Sequence, residues 1–298
     1  MFRTARVVAR QAKAAPKSFS RSLVQVPLLS NVSKDEGIKG LYSPKGLDVA
    51  WFQYQAYLVD RLNQLIKDDP TLSSMQSPFQ IAEATKSIPE LAEINHYASQ
   101  AYNNEFFFSA LKDSVNPDAT FGSGNPRKVD ITTEIRNPPP MVEPSESNDY
   151  YSSSASRSSS SRDALASSMK DSFDSAVSFR ELLINRANAI FGNGHAWLVQ
   201  SAEGSRRSDL FVVNTYNAGT PFPKHDDELG AAKSGSSGMV MDVNDFTRSP
   251  KLIPLLNVSV WQHSYLVDYG VAGKRQYLEN LFDCIDWEVV VNRFSREK

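Results

Sequence analysis

The chain has 298 residues and 41% of them are hydrophobic, enough for one large domain or two modest ones with a real core. Its mean hydropathy is negative and it holds no long apolar run, which excludes a transmembrane helix. One cysteine, Cys284, excludes an internal disulfide and fits a reducing compartment such as cytosol or matrix. Its setting in an apolar pattern predicts a buried small side chain rather than a nucleophile.

The first 27 residues differ from the rest. They carry Arg3, Arg6, Arg10, Lys13, Lys17 and Arg21 and no acid; the first acids are Asp35 and Glu36. The cations recur every three or four residues, opposite Phe2, Ala5, Val8, Ala9 and Ala12. Basic, Ser-containing and acid-free is the pattern of a mitochondrial transit peptide, expected over 1–27. Without those six cations, 26 basic residues face 34 acidic ones, a net charge of −8. Extensive phosphate contact needs clustered Lys and Arg, so an acidic body predicts mainly protein partners and little RNA contact.

Downstream, Leu47, Val49 or Ala50, Trp51, Tyr54, Leu58, Leu62, Leu65 and Ile66 recur with helical period, and Ser43-Pro44 supplies an N-cap followed by a first-turn proline. A second helical pattern runs over about 89–113. A short connection between the two predicts an antiparallel hairpin, with a domain over 28–122. Residues 114–165 lose the period: Pro138-Pro139-Pro140 and a serine-dense stretch at 152–161 predict a disordered linker, bounded at 123–165. A C-terminal α/β domain is expected over 166–298. It begins with a helical pattern from Phe173 to Ala187. Three strand-like runs follow, Ala196–Gln200, Leu210–Thr215 and Ile253–Val260. A Gly/Ser-rich insertion at 223–250 separates the last two. Helical patterns over Lys274–Phe282 and Trp287–Phe294 close the chain. The order is that of an α+β fold: a long helical hairpin, then a three-stranded antiparallel sheet flanked by helices.

Four segments carry a family resemblance. Leu255 to Tyr265, reading LLNVSVWQHSY, resembles the D-V-W-E-H-A-Y signature of the iron/manganese superoxide dismutases. Phe191 to Val199 is similar to their F-x-G-S-G-W-A-W-L-V, Ala98 to Phe108 to their A-A-Q-x-W-N-H-x-F-Y-W, and Ser43 to Ile66 aligns without a gap to their first helix. The resemblance covers about 43–113 and 166–294. It implies a redox metal held by three histidines and one aspartate, a ligand set suited to iron and manganese. Carried over position by position, the set falls on Ala50, Asn104, Ser259 and His263, so one imidazole remains. The funnel tyrosine falls on Leu58, the funnel histidine on Tyr54, the tryptophan of G-S-G-W on His195, and the glutamate that bridges to the partner subunit on Gln262. Of the four histidines, His96 lies two turns before Asn104 and His225 lies in the insertion; His195 and His263 map close to the old pocket. No catalytic, cofactor or metal site is expected, and His263 reads as a hydrogen-bonded core histidine.

A fold kept while its site is dismantled implies that shape and surface are what is used. Phe211 to Phe222 and Asp268 to Leu278 resemble the superoxide-dismutase-like subunits of the fungal mitochondrial ribosome's small subunit. That resemblance implies a non-enzymatic structural ribosomal protein in the mitochondrial matrix. Its partners would be other small-subunit proteins, including a second superoxide-dismutase-like subunit, with limited rRNA contact and neither a membrane nor a small-molecule substrate. Two alternatives stay open on the residues alone: an active matrix superoxide dismutase with an atypical metal site, and a free-standing scaffold outside the ribosome.

Overall fold

The computed structural model describes residues 24–114, 155–201, 210–221 and 252–295. The basic segment 1–23, the proline-rich stretch and the whole 223–250 insertion lie outside the described residues.

The first long helix starts as expected. Ser43 is the N-cap of α1 (Pro44–Leu47), its hydroxyl accepting from the Gly46 N–H, and Pro44 fills the first turn. The helix then widens into a π-helical segment, Asp48–Gln53, and returns to α geometry in α2 (Tyr54–Ile66). The expected short connection is longer than the apolar pattern suggested. It contains a separate helix, α3 (Pro78–Thr85), entered through Pro78, and a 3-10 turn at Pro89–Leu91. The second long helix, α4 (Ala92–Phe108), stops five residues before the expected end because Ala110, Leu111 and Lys112 turn aside to meet the C-terminal domain. Pairing of α2 with α4 is antiparallel: Arg61 meets Glu93, the Tyr57 and Tyr97 hydroxyls are 3.3 Å apart, and Gln55 donates to the Ala101 carbonyl.

Two expected boundaries move. Val24, inside the segment expected as a leader, is anchored on the folded body. Val24 is buried against α2, and Asn63 clamps its backbone from both sides, accepting from the Val24 N–H at 3.0 Å and donating to its carbonyl at 2.9 Å. The linker also ends earlier than expected, because α5 (Ala155–Phe173) begins inside the serine-dense stretch. Serine is only a moderate helix former, but Leu165, Met169 and Phe173, spaced by four, bury one face of α5 in the main core, and tertiary packing overrides the weak propensity. Phe173 ends this helix instead of starting the next. Asp174, at φ 66°, breaks the chain direction, and Ser175 caps α6 (Ala176–Asn188) by accepting from the Ser178 N–H.

The sheet has the expected three antiparallel strands, in the order β2-β1-β3: β1 (Gly194–Ser201), β2 (Leu210–Tyr216) and β3 (Leu252–Ser259). Every residue of β1 is buried, since it is central and covered on both faces. The β1–β3 register shifts between Leu198 and Val199, opposite Pro254, which has no N–H for the ladder. After β3 come a 3-10 turn at Gln262–Ser264, α7 (Leu266–Tyr269), α8 (Lys274–Phe282) and α9 (Trp287–Ser295). Cys284 is buried as expected; burial pushes its thiol up, and it makes a weak contact to the Lys39 carbonyl.

Two substitutions test the moved boundaries. Asn63→Ala leaves the Val24 amide and carbonyl without partners and should cost about 1–3 kcal/mol. Leu165→Ala empties a core position and should cost about 2–5 kcal/mol if α5 is packed as described. Urea denaturation reads both; a Leu165→Ala midpoint equal to the parent's would place α5 outside the core.

Candidate functional site

The four positions of the implied ligand set do converge on the junction of the two halves. Ala50 sits in the π-helical segment and Asn104 opposite it on α4. Ser259 ends β3 and His263 lies in the 3-10 turn after it, a turn that packs on the π-helical segment. The geometry there is that of a closed, neutral junction.

Ala50 is fully buried and offers no side-chain donor. The Asn104 amide nitrogen donates to Gln55 Oε1 at 3.0 Å and, at 3.5 Å, to the Ala50 carbonyl. Gln55 Nε2 in turn donates to the Ala101 carbonyl at 3.0 Å, so the second-ligand position is tied into a helix-to-helix amide network. The Ser259 hydroxyl lies 2.9 Å from the Ser264 hydroxyl, and the Tyr277 hydroxyl donates to the Ser259 carbonyl at 3.0 Å. Tyr277 is also 3.1 Å from the Tyr42 hydroxyl, which carries the network back to the start of the first helix. Burial raises both phenols and keeps them protonated.

The His263 ring lies 3.8 Å, centroid to centroid, from Tyr54 and 5.6 Å from Trp261. Gln100 Nε2 donates to the Tyr54 hydroxyl at 3.2 Å, and burial pushes this phenol up to about 12. His195 faces Ser259 across the β1–β3 ladder, with Trp197 at 5.8 Å and Trp261 at 6.5 Å. The two histidines therefore come together as their positions suggested. Burial lowers His195 to about 3, with the neighbouring His263 adding to the effect, and burial alone lowers His263 to about 4. Both are neutral at physiological pH. His263 is thus an aromatic-packed histidine; the structure records its ring contacts with Tyr54 and Trp261 rather than the hydrogen bond expected of it.

A redox metal of the implied kind does not fit these residues. One imidazole remains, and it is stacked on a phenol. Asn104 points its donor at another amide, and the Ser259 hydroxyl is engaged by Ser264. Among the described residues no group of three or more His, Cys, Asp or Glu side chains could hold a metal ion. The altered outer positions separate. Tyr54 closes over His263, whereas Leu58 points into the N-terminal cluster with Val24, Leu62 and Ile66. Gln262 is exposed, its N–H reaching Asn193 Oδ1 at 3.3 Å. His96 is exposed on α4, two helical turns before Asn104, and His225 lies outside the described residues. Sequence reasoning missed Gln55, Ser264 and Tyr277. Gln55 was legible in part, as a polar residue flanked by the apolar positions of the first helix; the other two are set by tertiary packing.

The family model described as "Iron/manganese superoxide dismutases, C-terminal domain" matches residues 161–231 and 233–293. That match lies in the C-terminal half of the chain. Over longer spans the chain is similar to two Schizosaccharomyces pombe proteins. It is 28% identical to small ribosomal subunit protein mS43 over 260 residues, which is 86% of this chain and 80% of that one. It is 29% identical to small ribosomal subunit protein mS42 over 249 residues, 82% of this chain and 84% of the other. To the iron superoxide dismutase of Salmonella typhimurium it is 33% identical over 131 residues, 44% of this chain and 52% of the enzyme.

His195, which is buried, and His263, which is partly buried, make stability depend on pH. Unfolded, each titrates near 6.5; folded, each lies lower, so between those values the unfolded chain binds more protons. The stability they permit is intact above about pH 6.5 and is lost as pH falls toward 4, by up to about 1.4 kcal/mol per pH unit for each histidine. Replacing both (His195→Gln with His263→Gln) should flatten the fall in urea midpoint between pH 7 and 4.5 relative to the parent. Parallel curves for parent and variant would show that neither histidine is held neutral by burial.

Proposed function

We infer that this chain is a structural component of the small subunit of the mitochondrial ribosome, in which a superoxide dismutase fold serves as a protein-docking module and not as an enzyme. The observation that carries this reading is the closed junction. Every implied ligand position is filled by a neutral group, and Asn104, Ser259 and His263 are already committed to neighbours in the protein. Similarity to mS43 and mS42 runs through both halves of the chain, whereas similarity to the bacterial enzyme spans about half of each protein.

The finer reading is a heterodimer with a second superoxide-dismutase-like subunit, located in the mitochondrial matrix. Its support is a surface beside the old site. Phe191 and Val271 are 92% and 90% exposed, far more than isolated large apolar side chains need to be. The segments that carry them are tied together by Lys274, whose Nζ donates to the Ile190 carbonyl at 2.6 Å and to the Asn188 carbonyl. Exposed Gln262 adjoins the same loop through Asn193. A neutral Gln262 removes the charge that a reciprocal, symmetric pairing would need, and a different partner chain does not need it. The acidic body limits rRNA contact to local sites. The domain plan that goes with this reading is a leader ending before Val24, the helical hairpin, and the C-terminal domain from α5 onward.

Sedimentation of mitochondrial lysate in low salt and magnesium should place the chain in the small-subunit peak, and the purified protein should carry no stoichiometric iron or manganese. Near-stoichiometric metal with superoxide turnover would overturn the reading in favour of an enzyme; absence from the peak would favour a free-standing scaffold. Phe191→Asp with Val271→Asp, both at exposed positions, should preserve the melting curve yet weaken association with the small subunit at least about tenfold. Installing Ala50→His, Asn104→His and Ser259→Asp should not by itself give superoxide turnover, because Tyr54 still covers His263.

A further inference from the structure

Away from the junction, a cleft of about 520 Å³ opens between α4 and the turn that follows β2. One wall is a single stripe of the helix: Ala92, Asn95, His96 and Ser99. The other is the Tyr216–Thr220 turn, and Lys86 stands at one end. The turn is built rather than loose. Asn217 has φ 53°, the Gly219 N–H donates to the Tyr216 carbonyl, and a Cβ at Gly219 would press on Thr215 at 3.0 Å. From below, Asn103 donates to the Gly219 carbonyl and accepts from the Thr220 hydroxyl at 2.7 Å. Asn95 is fixed too, donating to the Ala82 carbonyl at 2.7 Å.

The lining is polar and holds no carboxylate, in a chain whose acids outnumber its bases. Planar rings continue outward from it. His96 meets Tyr97 edge-on at 5.2 Å, Tyr97 meets Tyr57 at 6.1 Å, and the Arg61 guanidinium sits 5.9 Å from the Tyr97 ring. Tyr57 and Tyr216 are each more than half exposed. Glu93, on that ridge, is engaged by Arg61. Exposed rings interleaved with cations and fixed amides are what unpaired nucleotides stack on and pair with. A docking peptide would ask for an apolar floor, and this floor is Ala92, Asn95, Ser99 and the turn backbone.

We propose that this cleft holds one unpaired nucleotide of a single-stranded RNA, its base against Tyr216 and its phosphate at Lys86, with the neighbouring nucleotide on the His96–Tyr97–Tyr57 ridge. The assignment comes from the chemistry of the cleft and rests on the ribosomal reading only for the source of the RNA. It is one local contact, compatible with an acidic body.

The test is fluorescence anisotropy of the full chain with a labelled hexa-uridylate, against an RNA duplex as competitor. Saturable binding is expected, with the single strand preferred. Tyr216→Ala should weaken it about tenfold, while Tyr216→Phe, which keeps the ring, should bind like the parent. Lys86→Gln should weaken it several-fold and reduce the slope of log affinity against log salt by about 0.7. Thermal melts equal to the parent's establish that the variants fold. No saturable binding, binding unchanged in Tyr216→Ala and Lys86→Gln, or preference for the duplex overturns the proposal. Unchanged binding in the variants of a chain that still sediments with the small subunit sinks the cleft alone. Cleft-dependent binding by a chain absent from that peak sinks the ribosomal reading alone.

Discussion

The centre of this molecule obeys one constraint: polar groups buried where two halves meet must be neutral or fully paired. In a metalloenzyme of this architecture a cation at that point would compensate the buried ligands and cross-link the halves. Here the cross-link is made by hydrogen bonds. Ser43 donates to Asp268 at 2.5 Å, the Tyr269 hydroxyl to the Leu41 carbonyl at 2.7 Å, and Asn257 to the Asn103 carbonyl at 2.9 Å. The Lys112 and Asp286 N–H groups donate to the Cys284 and Ala110 carbonyls, and Arg293 stacks on Phe106 while donating to its carbonyl. Each such bond contributes modestly, about 1 kcal/mol, but leaving one unmade in a dry interface costs more. The junction is therefore held by many small terms rather than by one large one.

That distribution explains why the altered positions are altered together. A charge kept at one of them would have no counter-ion once the others are neutral, and an isolated buried charge is far costlier than an amide with a partner. Asn104 with Gln55, and Ser259 with Ser264, are pairs in which each group satisfies the other. Tyr54 sets its ring against His263, and that contact helps pack the two halves together.

Much of this was legible in the sequence. The three strands, the closing helices and the first helix with its Ser43-Pro44 start all follow from periodicity and capping chemistry, which act locally. The ligand positions were legible because motifs of fixed spacing carry them. What escaped were features decided at long range. The helical face of α5 is invisible in a serine-dense window until Leu165, Met169 and Phe173 meet the core. The attachment of Val24 depends on an asparagine 39 positions away. Pro78–Thr85 is short enough for its apolar residues to pass as loop. The partners of Asn104 and Ser259 depend on which groups the fold brings opposite them.

The helix cap at Ser43 has one more consequence. Its hydroxyl caps α1 and also donates to Asp268, and the Asp268 carboxylate accepts from the Ser43 N–H as well, 225 positions apart. Tyr42 with Tyr277 and Lys39 with Cys284 span similar separations. Closing such loops gives up chain entropy before the contacts repay it, and folds dominated by distant contacts assemble slowly. The hairpin, which leads in the chain, thus carries an unfinished end until nearly the last segment has been delivered. In this protein the beginning of the fold is completed by its end.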